Sequence, residues 1–163
     1  VIVISDTSPL SALASIQRLD LLPMFYGTIT IPKAVLNECR HPSAPETLRK
    51  WADCPPPWAV IACPIGNPPP ALTNLDPGET EALQIALASE SPVLLIMDER
   101  RGVKAAELLG IPFVGTLGLL VNTHLRGVLD FETSLEQLRT TGFHLGDLAI
   151  LRARQIISHR APD

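Results

Sequence analysis

Short apolar runs alternate along this chain with stretches whose apolar residues recur every three or four positions, a pattern that predicts strands and helices in turn. Val1 to Ser5 is a β-branched run ending at Asp6 and reads as a buried strand. Ser8-Pro9 then opens a helix, with Ser8 as cap, Pro9 at the first helical position, and Leu10, Leu13 and Ala14 following. A short helix through Leu19, Leu21 and Leu22 closes at Gly27, and Thr28 to Ile31 is the next strand. Pro32 starts a helix through Val35, Leu36 and Cys39, residues 45–53 are helical, and Trp58 to Ala62 form a short strand. Asp76-Pro77-Gly78-Glu79 introduces a strong helix through Ala82, Leu83, Ala86 and Leu87, followed by a strand over Pro92 to Met97. Beyond these come a helix over Arg101 to Leu109, a strand over Pro112 to Val114, and helices over residues 116–126, 131–140 and 146–158. Strands alternating with helices predict an α/β domain, a central parallel sheet of four to five strands with helices on both faces.

The 163 residues, 46% of them apolar and 18% charged, suit one compact domain over residues 1–163. A chain of this length buries roughly 68–70% of its unfolded surface and needs no disulfide or metal staple. Half of the sixteen prolines fall between Pro55 and Pro77. That segment, 55–77, reads as a stiff surface connection around an edge strand, and residues 116–158 as a helical C-terminal region. Leu119, Leu120, Leu135, Leu138, Leu148 and Ile150 there suit either the core or a dimer contact.

Three cysteines without a CxxC exclude a disulfide framework and predict a reducing, cytoplasmic setting. Cys39, His41, Cys54 and Cys63 offer a zinc-ligand set, but their spacing fits no standard zinc pattern. The longest uncharged stretch, Leu108 to Leu125, is broken by Gly110, Pro112, Gly115 and Gly118, so no membrane span is expected, and the opening Val1-Ile2-Val3-Ile4 shows neither the basic region nor the cleavage site of an export signal. A formal charge of −4 argues against general electrostatic adhesion to nucleic acid.

The acids, however, are not scattered. Ligands of open parallel sheets bind beyond the carboxyl ends of the strands. Asp6 ends the first strand, and Asp98 with Glu99 ends the strand at Leu94 to Met97. Glu38 lies two turns into the helix after the second strand, on the side of Val35, which directs it inward. Glu79 occupies the first turn of a helix, where an anion is favoured, Asp76 is that helix's cap, and Glu81 reads as exposed. Capping, solvation or ion pairing explains each acid alone. As a set without basic partners they repel one another, and a divalent cation relieves that repulsion. Hard oxygen ligands favour Mg²⁺ or Mn²⁺ over zinc, and such ions activate water toward a phosphodiester.

With these residues in place, the chain resembles the PIN-domain family of metal-dependent ribonucleases, particularly the VapC-like toxins of bacterial toxin–antitoxin modules. The resemblance rests on Val3-Ile4-Ser5-Asp6-Thr7-Ser8-Pro9-Leu10, Ile31-Pro32-Lys33-Ala34-Val35-Leu36-Asn37-Glu38, Gly78-Glu79-Thr80-Glu81-Ala82-Leu83 and Leu95-Ile96-Met97-Asp98-Glu99. The later Gly110 to Leu120 stretch is similar to that branch's strand-to-helix return. The resemblance implies an acidic cluster of Asp6, Glu38, Glu79 and Asp98 holding one or two Mg²⁺ or Mn²⁺ ions, with Ser8 in support. Glu79 stands where many members carry Asp. Asp98-Glu99 replaces a paired Asp-Asp; Asp98, nearer the strand end, is the expected ligand and Glu99 the alternative. The implied activity is endoribonuclease cleavage, with RNA as substrate, a cognate antitoxin as partner, and a homodimer as the assembly.

Arg100, Arg101 and Lys104 follow the acidic turn and are candidates for holding flanking phosphates; charge balance against Asp98, Glu99 and Glu107 explains them equally well. His41, His124, His144 and His159 are scattered, and none is placed as a base. The chain has no GxxxxGK[ST] and no GxGxxG after its first strand, and Asp6 lacks the second Asp two residues on that a haloacid-dehalogenase-like phosphatase requires. A receiver-like phosphoacceptor arrangement with its downstream Lys is also missing. The alternative of another class is a catalytically silent PIN-like module that binds RNA or protein.

Overall fold

A computed structural model of the chain describes residues 1–160. Its strands are β1 (Ile2–Ser5), β2 (Ile29–Pro32), β3 (Ala59–Ala62), β4 (Val93–Ile96) and β5 (Phe113–Val114). The helices are α1 (Thr7–Ser15), α2 (Leu21–Tyr26), α3 (Lys33–Cys39), α4 (Glu46–Asp53), α5 (Pro77–Ala88), α6 (Arg100–Leu108), α7 (Thr116–Leu125), α8 (Phe131–Thr140) and α9 (Asp147–Arg160), with a 3₁₀ turn at Pro70–Leu72.

All strand pairs are parallel, in the order β3-β2-β1-β4-β5. The chain builds outward from β1 in one direction through β2 and β3, then returns to add β4 and β5 on the other side. The reversal falls between β1 and β4, where Ile4 pairs with Leu95 and Ser5 with Ile96. Crevices at such switch points, outside the carboxyl ends of the strands, are where open α/β sheets bind ligands.

Alternation of side chains along the strands separates two cores. Val3, Ile29, Ile31 and Ile96 join Leu10, Leu13, Val35 and Leu48 on one face. Ile4, Leu95 and Met97 join Leu72, Leu83 and Ala106 on the other. A third cluster of Leu120, Phe131, Leu135, Leu138 and Ile150 ties α7, α8 and α9 together. Leu119 is also buried, whereas Leu148 is 61% exposed and joins no core.

Two local expectations are corrected. Helix α1 starts at Thr7, with extended Asp6 rather than Ser8 at its N-cap. Pro9 is tolerated at its third position because N–H groups of the first turn have no intrahelical acceptor in any case; Ser8 is left free to turn its hydroxyl elsewhere. Glu81 is half-buried rather than exposed, because its carboxylate accepts the Ala34 N–H at 2.7 Å. Gly27, with φ of +72°, closes α2 as expected, in a conformation that favours glycine. The proline-rich segment carries edge strand β3 and is pinned to α5 by the Gln84 side-chain amide, which donates to the carbonyls of Ile65 and Gly66. Among the described residues no helix is long and apolar enough to cross a membrane.

Candidate active site

Parallel strands bring their following residues to one edge of the sheet, and this gathers acids far apart in sequence. Asp6 follows β1 and donates its backbone N–H to Ile96 O of β4 at 2.9 Å, so its place at the switch point is set by the sheet itself. Its side chain is 3% exposed. Burial first, and then the charges of Glu38, Glu79 and Glu99, push its carboxyl up to about 7, against a lowering bond from the Thr7 backbone. No Lys or Arg offsets this: among the described residues the ion pairs involve none of Asp6, Glu38, Glu79, Asp98 and Glu99.

Glu38 is held from two sides. The Thr7 hydroxyl donates to Oε2, and the Gly78 N–H, in the first turn of α5, donates to Oε1 at 3.0 Å. Glu79 is buried at 4% exposure and completes a capping box in which the Asp76 N–H donates to its Oε2 at 3.2 Å. Burial raises its pKa; the Asp76 N–H opposes, and the charges of Asp76, Glu99 and Glu38 add to the rise. Asp98 faces the start of α7, where Thr116 donates its N–H to Oδ1 at 2.7 Å and its hydroxyl to Oδ2. Burial raises the Asp98 carboxyl, and the two Thr116 bonds hold that rise back. Glu99 accepts the Ser8 hydroxyl at 3.1 Å.

The charges that reach Asp6 are therefore Glu38, Glu79 and Glu99, while Asp98 anchors a helix start. Ser8 supports the cluster through Glu99. Arg100 lines a groove of about 800 Å³ together with Ser8, Asp98 and Glu99; Arg101 and Lys104 are exposed and do not line it. The zinc set is not assembled: Cys39 is buried with its thiol pushed up to about 12, chiefly by burial, while Cys54 and Cys63 are exposed.

Two glycines make room for the carboxylates, and a third chiefly for a methionine beside them. A Cβ on Gly78 would stand 2.8 Å from Glu38 Oε2 and one on Gly115 2.7 Å from Asp98 Oδ1, while one on Gly102 would meet Met97 Sδ at 2.5 Å before Glu79 Oε1 at 3.2 Å. These glycines, Thr7 and Thr116 are participants that sequence reasoning passed over. The available signals were a Gly directly before Glu79 and a Gly-Thr pair at a strand-to-helix junction.

Among the described residues no three His, Cys, Asp or Glu side chains form an assembled metal centre. The carboxylates are engaged by protein donors instead. As donors they suit a hard divalent cation: all oxygen, with Glu38 and Glu99 near enough to raise the pKa of Asp6 and Glu79, without a cationic side chain in an ion pair with them, and given space by glycine.

The chain matches no curated protein and no solved structure. A family model described as PIN domain matches residues 2–158, which takes in all five strands and every acid of the cluster. The chain belongs to the PIN-domain family, whose members are generally nucleases that use divalent metal ions.

Proposed function

We propose that this protein is a Mg²⁺- or Mn²⁺-dependent endoribonuclease of the VapC-like branch, the toxin of a type II toxin–antitoxin pair acting in the cytoplasm. The observation that carries the reading is the burial of Asp6 among Glu38, Glu79 and Glu99 at the switch point, with no side-chain cation. Asp6, Glu38 and Glu79 would hold one or two ions together with Glu99, taken here in place of the expected Asp98, whose two bonds to Thr116 would instead position the turn. Bound there, the ions would neutralise the carboxylates, activate water and stabilise charge on an RNA phosphodiester.

The chain's own residues perform the remaining work. Thr7 and Gly78 orient Glu38, the Asp76 N–H orients Glu79, and Ser8 orients Glu99. These bonds limit the rotamers each carboxylate must give up when it turns to a ligand. Toxicity and a cognate antitoxin follow the resemblance to VapC-like toxins. A homodimer follows it too.

The test is cleavage of RNA with Mg²⁺, Mn²⁺ or EDTA by the wild type and by Asp6→Asn, Asp98→Asn and Glu99→Gln. Metal-dependent cutting that Asp6→Asn and Glu99→Gln abolish and Asp98→Asn only weakens is expected; loss in Asp98→Asn with activity kept in Glu99→Gln makes Asp98 the ligand. Metal-independent cutting, or full activity in folded Asp6→Asn and Glu99→Gln, overturns the mechanism. RNA binding without cutting by the wild type favours the silent binding module.

A further inference from the structure

Beside the acidic cluster lies the groove of about 800 Å³ that contains Ser8, Asp98 and Glu99. Its volume is in the range of small-ligand sites. Its lining also includes Arg100, next to Glu99 at the start of α6, and three residues from elements later in the chain: Phe113 on β5, Phe143 in the α8–α9 connection and Arg152 on α9.

Phe143 is partly buried against the α7–α9 core, whereas Phe113 and the two arginines belong to no core cluster of the described residues. Arg100 and Arg152 are both exposed, and among the described residues neither forms an ion pair, although acids stand in the same groove. Phe113, 36% exposed, presents an aromatic side chain at the sheet's edge, and Phe143 lines this groove and a second one containing Thr7, Ser8, Glu38 and His41. Phe143 and Ser8 thus mark a ridge shared by two grooves, with carboxylates of the cluster on both sides.

We propose that this groove binds one unpaired nucleotide of an RNA strand adjacent to the phosphate over the acidic cluster. Arg100 and Arg152 take its phosphate, and Phe113 and Phe143 offer their faces to its base. Unpaired guanidinium groups are suited to phosphate oxygens, which they meet with paired N–H donors. Aromatic side chains next to such cations are the usual platform for single-stranded bases, whose faces are covered in a duplex. Separation of the two arginines by 52 positions of sequence explains why no local motif announces the site. The inference rests on the nuclease reading for its choice of RNA, but the groove's own residues lie outside the proposed metal ligands apart from Glu99.

The experiment measures binding of a short RNA containing 2-aminopurine, in Mg²⁺, with every protein in the Asp6→Asn background so that the RNA survives. Quenching of the base on binding is expected, with weaker affinity for the same sequence as a duplex. Arg100→Ala and Arg152→Ala should each weaken binding about tenfold and lower the salt dependence by about one phosphate contact. Phe113→Ala and Phe143→Ala should reduce the quenching, and Phe143→Tyr should restore it. Unchanged affinity and quenching in all four alanine variants, with the melting temperature of the Asp6→Asn parent, overturns the proposal; so does equal binding of duplex. Cleavage by the otherwise wild-type chain is scored separately. Groove-dependent binding with no cleavage defeats the nuclease reading alone, and Asp6-dependent cleavage indifferent to the groove defeats this one alone.

Discussion

Glu38 and Glu81 bind α3 and α5 reciprocally. Glu38, on α3, accepts the Gly78 N–H in the first turn of α5, and Glu81, on α5, accepts the Ala34 N–H in the first turn of α3. Each carboxylate meets the positive end of the other helix, where N–H groups lack intrahelical acceptors. One carboxylate belongs to the acidic cluster and the other does not. The helix pair that presents Glu38 is therefore held by an acid that need not take part in chemistry.

Substitution of Glu81 separates these roles. Glu81→Ala leaves the Ala34 N–H without its charged acceptor and should lower stability by about 1–2 kcal/mol. Urea unfolding measures the loss. Divalent-ion dependence of cleavage should persist in the folded fraction; its disappearance would place Glu81 in the ion site.

Asp6 makes the ion-free protein sensitive to pH. Its carboxyl moves from 3.8 to about 7 on folding, so between those values the native state holds a proton that the unfolded state has released. Stability is then greatest below the unfolded value and falls as pH rises through the window. Glu79 and Asp98, also raised, act in the same direction. In EDTA, Asp6→Asn should flatten this fall and stabilise the protein by roughly 2 kcal/mol near pH 7.5. Thermal melts from pH 4 to 8 supply the comparison, and a wild type that gains stability with pH contradicts it.

A divalent ion should reverse that penalty. Mg²⁺ or Mn²⁺ binding only the native state raises the melting temperature in proportion to the logarithm of concentration once above Kd, and EDTA removes the gain. The effect should be larger at pH 8 than at pH 5.5, because protonated carboxyls are poor ligands. Equal shifts in Asp6→Asn would locate the ion elsewhere.

Gly78→Ala distinguishes site geometry from fold stability. The new Cβ would stand 2.8 Å from Glu38 Oε2, forcing that carboxylate to move. Alanine is the better helix residue, by roughly 0.5–1 kcal/mol, so stability should change by less than about 1 kcal/mol. Cleavage should nevertheless fall at least tenfold. Kinetics beside a melting curve check both halves.

The strands, most helix boundaries and the parallel α/β class were legible because apolar periodicity reports directly which face of each element is buried. Ser8 was misread at the start of α1 because Ser-Pro is a strong local helix-opening signal, while the actual start follows from where β1 ends and Asp6 turns extended. Glu81 looked exposed because its partner, the Ala34 N–H, lies 47 positions earlier.

Sequence alone determined that several acids follow strand ends or open helices, since these are local properties of residue type and spacing. Only the tertiary structure decided their relations. Asp98 and Glu99 are adjacent, yet the short turn after β4 sends Asp98 to the start of α7 and Glu99 to Ser8, within the field of Asp6. Arg152 and Phe143 entered beside them through the docking of α9 and its connection. Strand order and helix packing set such juxtapositions through contacts between distant residues, for which neighbouring positions carry no periodic signal.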